Sequence, residues 1–151
     1  MKILRNKLTE EMKKTIYDGF KEHAIEKCGT SELEDPINFY IEGPEKNVIS
    51  AIVCQIFWGA LHIKYVWTHK EHRGKGYASK LMYEVFNFSK ESECPFAYVE
   101  TMNFQAPDFY EKFGFVTELV RDGYSKGTSF YYMRKDFNNI TLKLKSSCKK
   151  S

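Results

Sequence analysis

The fifteen residues from Tyr65 to Ser79, YVWTHKEHRGKGYAS, decide how the chain is read. An apolar run ends in a loop, and Gly74 and Gly76 stand where that loop gives way to helical spacing. A residue without a Cβ lets backbone N–H groups approach a ligand closely and point at it together. The first turn of a helix adds unpaired donors and the positive end of its dipole. Arg73 and Lys75 add formal positive charge. The stretch is an anion cradle, best matched to a phosphate or pyrophosphate. A P-loop would need Ser or Thr after its GK pair, and Gly76 follows Lys75. The dinucleotide fingerprint would need a third glycine where Ser79 stands. A glycine-rich helix start with no ligand is the bland alternative.

Outward from this loop the hydrophobic pattern supplies the frame. Before it, Ile37–Glu42, Val48–Phe57 and Ala60–Thr68 read as three strands of an antiparallel meander, turned at Gly43–Asn47 and Trp58–Gly59. The second is apolar at most positions, which predicts cover on both faces. After the loop, Ala78, Leu81, Met82, Val85 and Phe86 mark one face of a helix ending near Ser92. A strand over 96–101, a short helix over 106–113 and strands over 115–120 and 130–134 follow. Nearer the start, Thr9 is an N-cap, and Met12, Ile16, Phe20 and Ala24 recur at helical spacing up to Cys28–Gly29. The order predicts an α/β (α+β) chain, with a mixed, mostly antiparallel sheet flanked by helices. One domain is expected over 1–137, with 138–151 as a basic C-terminal tail or an edge strand.

Composition bounds the function. With 151 residues, 42% apolar and 16% aromatic, the chain can bury one core. A net charge of +3 gives no reason to expect a nucleic-acid partner. Thr9-Glu10-Glu11 stands where a secretory signal would need an apolar core, and no stretch is long enough to span a membrane. Cys28, Cys54, Cys94 and Cys148 lie far apart without zinc spacing, so reduced thiols and a cytoplasmic location are expected. His69 and His72 form an HxxH without an apparent third ligand, and no metal is expected.

Two motifs carry a resemblance. Arg73, Gly76 and Ala78 satisfy R/Q-x-x-G-x-G/A, which resembles the pyrophosphate loop of the GNAT acyltransferases. Asn103 to Phe115, NFQAPDFYEKFGF, resembles the later motif of that family through Asn103, Ala106, Tyr110, Gly114 and Phe115. One helix and one strand fit between them, as the family requires, and the resemblance covers Ile37 to Lys135. It is closest to the small single-domain bacterial-type branch. Two departures stand out. The usual first strand is missing or reduced to Lys2–Leu4, and Thr68 replaces a valine in the third strand.

The resemblance implies a GNAT fold whose sheet splays between the third strand and the next, parallel strand, with acetyl-CoA as acyl donor in the gap. It assigns the pantetheine arm to the backbone of Val66, Trp67 and Thr68. The diphosphate falls to the N–H groups of Arg73, Gly74, Lys75, Gly76, Tyr77 and Ala78, with Ser79 nearby and Asn103 beyond the splay. Tyr110 would protonate the leaving thiolate, while Phe109 and Phe113 on the same helix are expected in the core. An amine must lose a proton before it attacks. His62, on the face of Lys64, Val66 and Thr68 if alternation holds, and Glu100 are the candidate bases. The implied reaction is direct transfer to a primary amine, expected to be a small molecule. A protein lysine or N-terminal acceptor, a non-catalytic coenzyme A-binding protein, and a homodimer stay open.

Overall fold

In the computed structural model, residues 3–137 are described, so Lys2 and the segment 138–151 named above lie outside the described residues. The described chain falls into two compact units, one of residues 3–33 and one beginning at Glu34. In the first, helix α1 spans Glu10–Cys28. Thr9 accepts a hydrogen bond from the Met12 N–H, and Glu10 and Glu11 lie in the first turn, where the helix dipole favours carboxylates. Gly29, at φ 78°, closes α1 by donating its N–H to the Ile25 carbonyl.

The second unit is a six-stranded sheet with two helices. In chain order it contains β1 (Ile37–Glu42), β2 (Val48–Phe57), β3 (Ala60–Thr68), α2 (Tyr77–Glu91), β4 (Phe96–Met102), α3 (Pro107–Glu111), β5 (Val116–Tyr124) and β6 (Thr128–Asp136). The spatial order is β1-β2-β3-β4-β6-β5, antiparallel except for β3 beside β4. Trp58 and Gly59 both have positive φ, 49° and 76°, which gives the β2–β3 reversal the twist a two-residue hairpin prefers.

The core lies where β2, β3 and β4 meet α2. Ile52, Cys54, Leu61, Ile63, Met82 and Val85 are fully or almost fully buried. The helix contributes Leu81, Met82, Val85 and Ser89, one stripe at helical spacing. In β2 only alternate residues from Ser50 to Ile56 are buried, and Ala51, Val53 and Gln55 stay half-buried. The expectation that this strand is covered on both faces is therefore corrected to one covered face. Reduced thiols are seen at Cys54 and Cys94, which are buried and free. The same does not hold for Cys28, which is disulfide-bonded.

Two irregularities prepare the site. Parallel pairing of β3 with β4 covers only Leu61↔Ala97, His62↔Tyr98 and Ile63↔Val99. Beyond it β3 stays on β2 as far as Thr68, and β4 stays on β6 as far as Met102. Each strand keeps its outer partner while the inner edges part. The second irregularity is a bulge. Cys54 pairs with Ile63 but Val53 pairs with Tyr65, which leaves Lys64 as an extra residue in β3. Side-chain alternation resets there. Ile63, Val66 and Thr68 share the buried face of β2, and His62, Tyr65 and Trp67 take the other. His62 therefore does not share a face with Val66 and Thr68, contrary to strict alternation.

Candidate active site

A cavity of about 840 Å³ opens where β3 and β4 diverge. The divergent half of β3 forms one wall, through Lys64 to Thr68. The loop and first turn of α2 close one end, and the end of β4, the following turn and α3 form the other wall.

The loop end is built to take an anion. Gly74 and Gly76 have φ of 75° and 77°, a region costly for residues with a Cβ, and a Cβ at either position would meet nothing within 4 Å. Left-handed turns thus aim the backbone into open space and not into packed side chains. Gly76 is the N-cap of α2, and no side chain caps the first turn. Gly76, Tyr77, Ala78 and Ser79 all line the cavity, so the uncapped end of a fifteen-residue helix faces it. Arg73 donates from Nε to the Thr68 carbonyl at 3.2 Å, which ties the base of its guanidinium to the end of β3.

Thr68 itself has a partner. Ser50, fully buried on β2, bonds Thr68 Oγ1 through its Oγ at 2.8 Å and donates to the Trp67 carbonyl at 3.1 Å. The unusual threonine is one half of a hydrogen-bonded pair whose other half is Ser50. A buried hydroxyl without such a partner would carry its full desolvation cost.

On the opposite wall, Tyr110 is 6% exposed and packs edge-on against Phe109 and Phe115. Burial pushes its phenol up to about 12, so it stays protonated and able to donate at neutral pH. Phe109 also lines the cavity, whereas Phe113 packs against Tyr83 and Phe86. Both phenylalanines pack against the core, as expected, and Phe109 borders the cavity as well.

At the apex of the gap, Glu100 is the first β4 residue past the last parallel pair. Its Oε2 lies 2.7 Å from His62 Nε2, and both side chains are about a quarter exposed (28% and 24%). The Tyr98 ring lies parallel to the imidazole at 4.5 Å and fixes its plane. Glu100 lines the cavity and His62 stands behind it. The two side chains proposed separately from sequence thus form one pair.

Of the other sequence-derived positions, Val66, Trp67, Thr68, Arg73, Gly74, Gly76, Tyr77, Ala78, Ser79 and Tyr110 line the cavity. Lys75 and Asn103 do not: Lys75 is exposed, and Asn103 is exposed in the turn after β4 with its N–H on the Ser129 carbonyl at 2.9 Å. Sequence reasoning missed Lys64, Tyr65, His72, Thr101, Phe104, Gln105 and Ala106 as wall residues. The bulge turns Tyr65 and carries no sequence signal, whereas Phe104, Gln105 and Ala106 sit inside the second motif. Among the described residues, no group of His, Cys, Asp and Glu could hold a metal ion, and no helix is long and apolar enough to cross a membrane.

Comparison with known proteins agrees with this geometry. A curated acetyltransferase of Agrobacterium fabrum is 27% identical over 135 residues, which cover 89% of this chain and 98% of that protein. The blasticidin-S acetyltransferase of Streptomyces morookaense is 28% identical over 98 residues, covering 64% of this chain and 72% of its own. The crystal structure of an acetyltransferase from Bacillus cereus has the same fold, with a TM-score of 0.74 at 23% identity over 90% of this chain and 98% of that one. The profile of the acetyltransferase (GNAT) family matches residues 4–115, a span that holds both glycines of the loop, the parting strands and Tyr110. The glycine loop at the helix start and the parallel pair that separates after three residues both lie within that match, and the chain belongs to the GNAT acetyltransferase family.

Proposed function

We propose that this protein transfers the acetyl group of acetyl-CoA to the primary amine of a small molecule, by direct attack with both substrates bound. The carrying observation is the continuous cavity between β3 and β4. It has an anion cradle at one end and a carboxylate–imidazole pair at the other, with a protonated phenol on the wall between. One end suits the coenzyme diphosphate and the other suits an amine. Among the described residues the inner edge of β3 past Ile63 has no strand partner, so the pantetheine arm can bond to the backbone of Val66, Trp67 and Thr68 as an added strand would. The N–H groups of residues 73–78 and the side chain of Ser79 take the diphosphate. Asn103 is kept as a contact for the coenzyme's outer part.

Holding donor and acceptor in one cleft removes much of the entropic barrier. The amine nitrogen attacks the thioester carbonyl, the C–N bond forms and the C–S bond breaks. The proton lost by the amine passes to Glu100, whose charge is steadied by His62, and Tyr110 supplies a proton to the departing thiolate. Products are the amide and free coenzyme A. No cysteine is among the described residues of the cavity wall, which argues against an acyl-enzyme. A small acceptor is favoured because a relative matched over 64% of this chain is a blasticidin-S acetyltransferase. A cytoplasmic enzyme with access to acetyl-CoA fits this activity.

Calorimetry with acetyl-CoA, followed by an amine panel read by free-thiol release, tests the proposal. Binding followed by amine-dependent release is expected. Binding with no release for any amine would leave a coenzyme-binding protein without this activity.

A further inference from the structure

Three large rings on the cavity wall are exposed to solvent: Tyr65 at 66%, Trp67 at 46% and Phe104 at 69%. A single exposed ring needs no explanation. Three around one opening do, because each leaves unused the apolar burial that aromatic side chains ordinarily supply. Their placement is specific. The Lys64 bulge turns Tyr65 and Trp67 together onto the face of His62, away from α2. Phe104 sits in the turn that continues β4, on the other side of the gap. Two rings therefore border the opening from β3 and one from β4.

The charges along the cavity are sorted by position. Arg73, His72 and the uncapped start of α2 gather at the loop end. Glu100, at the apex, is the one carboxylate among the described wall residues. Lys64, on the wall from β3, donates from Nζ to Gln55 Oε1 on β2 at 3.2 Å, so that cation already has a partner on the neighbouring strand. An aromatic-bordered slot with one carboxylate selects a cation attached to a flat or apolar body.

We infer that the acceptor is a primary amine, protonated in solution, attached to a flat unsaturated body. The body lies between Tyr65 and Trp67 on one side and Phe104 on the other, with the nitrogen directed to Glu100. This rests on the amine-acceptor reading above and narrows it to a substrate class. The slot is separate from the groups assigned to the diphosphate, so its loss changes acceptor kinetics and leaves the loop contacts intact.

Free-thiol release with phenethylamine and with hexylamine, which match in charge and differ in flatness, tests the inference. Acetyl-CoA affinity by calorimetry is the control. The wild type is expected to prefer phenethylamine in kcat/KM by about tenfold or more, the scale of one or two aromatic contacts. Tyr65→Ala and Phe104→Ala should each remove most of that preference, with acetyl-CoA affinity within about threefold, a difference well under the 1.4 kcal/mol that corresponds to tenfold. If Tyr65→Ala does not fold, Phe104→Ala, in an exposed turn, carries the comparison. Equal use of both amines by the wild type, or variants that lose both equally, overturns the inference and spares the amine reading. Acetyl-CoA binding with no release for either amine overturns both.

Discussion

At the scale of single residues, Tyr110 makes the sharpest claims. Its hydroxyl is buried beside the cavity, and burial, with no charged partner among its causes, pushes the phenol from 10.0 to about 12. As the proposed general acid it should lower turnover about 10²- to 10⁴-fold when replaced by Phe, with acetyl-CoA affinity nearly unchanged. Phe113→Leu is the control, since Phe113 packs away from the cavity whereas Phe109 lines it. The same burial has a stability consequence. A phenol whose folded pKa is raised favours folding while it is neutral, so the contribution is complete below pH 10 and is lost as pH rises toward 12. Denaturant melts at about pH 9 and about pH 11 should show the wild type losing more stability than Tyr110→Phe between them. Equal losses would mean the phenol is wetter than its 6% exposure indicates. Glu100 and His62 are separable by the same logic. Glu100→Gln should cost turnover about 10²- to 10⁴-fold. His62→Gln keeps a donor toward Glu100, so it should cost less. A His62→Gln enzyme more impaired than Glu100→Gln would reverse the two roles.

At the scale of elements, the start of α2 is where local chemistry and function coincide. Gly76 is required twice, for a φ of 77° and for backbone approach, and the space a Cβ would enter is open. Gly76→Asp should therefore fold, with a modest loss from the strained φ, and should lose acetyl-CoA binding because a carboxylate would stand against the diphosphate. Calorimetry reads the binding and circular dichroism the fold; undiminished affinity in a folded variant would remove the loop from the donor site. Glycine spacing and helical periodicity are backbone properties, which is why this element was legible in the sequence. The first three strands and α1 were legible for the same reason. The face of His62 was not. The Lys64 bulge involves no glycine or proline, and a one-residue insertion reverses every side chain beyond it. The His62–Glu100 pair was also hidden, because it joins residues 38 positions apart in sequence, diagonally across the parallel strand pair in which His62 faces Tyr98. Strand identity could be read from alternation, but register could not. The tightest predictions on β3 therefore concern the side chains past the bulge.

At the scale of the whole molecule, the gap depends on strands that keep their outer partners while losing each other. β3 holds to β2 through Thr68, anchored by the Ser50–Thr68 pair, and β4 holds to β6 through Met102. The cavity needs the sheet from β2 to β6, the start of α2 and α3, and its wall runs from Lys64 to Tyr110. The sheet closes at Phe137, whose N–H donates to the Pro95 carbonyl at 3.0 Å and whose ring packs against Phe86. Among the described residues, the cavity wall ends at Tyr110. Compared under reducing conditions, so that the Cys28 disulfide is absent from both, a chain ending after Phe137 should bind acetyl-CoA within a few-fold of the full chain and still melt cooperatively. Removing Phe137 as well should cost more, because it deletes a ring packed against the core and frees the Pro95 carbonyl; losing a buried aromatic typically costs about 3–5 kcal/mol, with a half-buried ring toward the lower end. Comparing the two truncations by thermal melts and calorimetry separates a dispensable tail from a structural one. If the cut after Phe137 unfolds the protein, residues 138–151 contribute to stability, and the boundary placed at 137 from sequence moves toward the C-terminus. If the cut leaves the fold intact but weakens acetyl-CoA binding by more than tenfold, the basic residues of that segment reach the donor. The diphosphate site would then extend past Arg73 and Lys75.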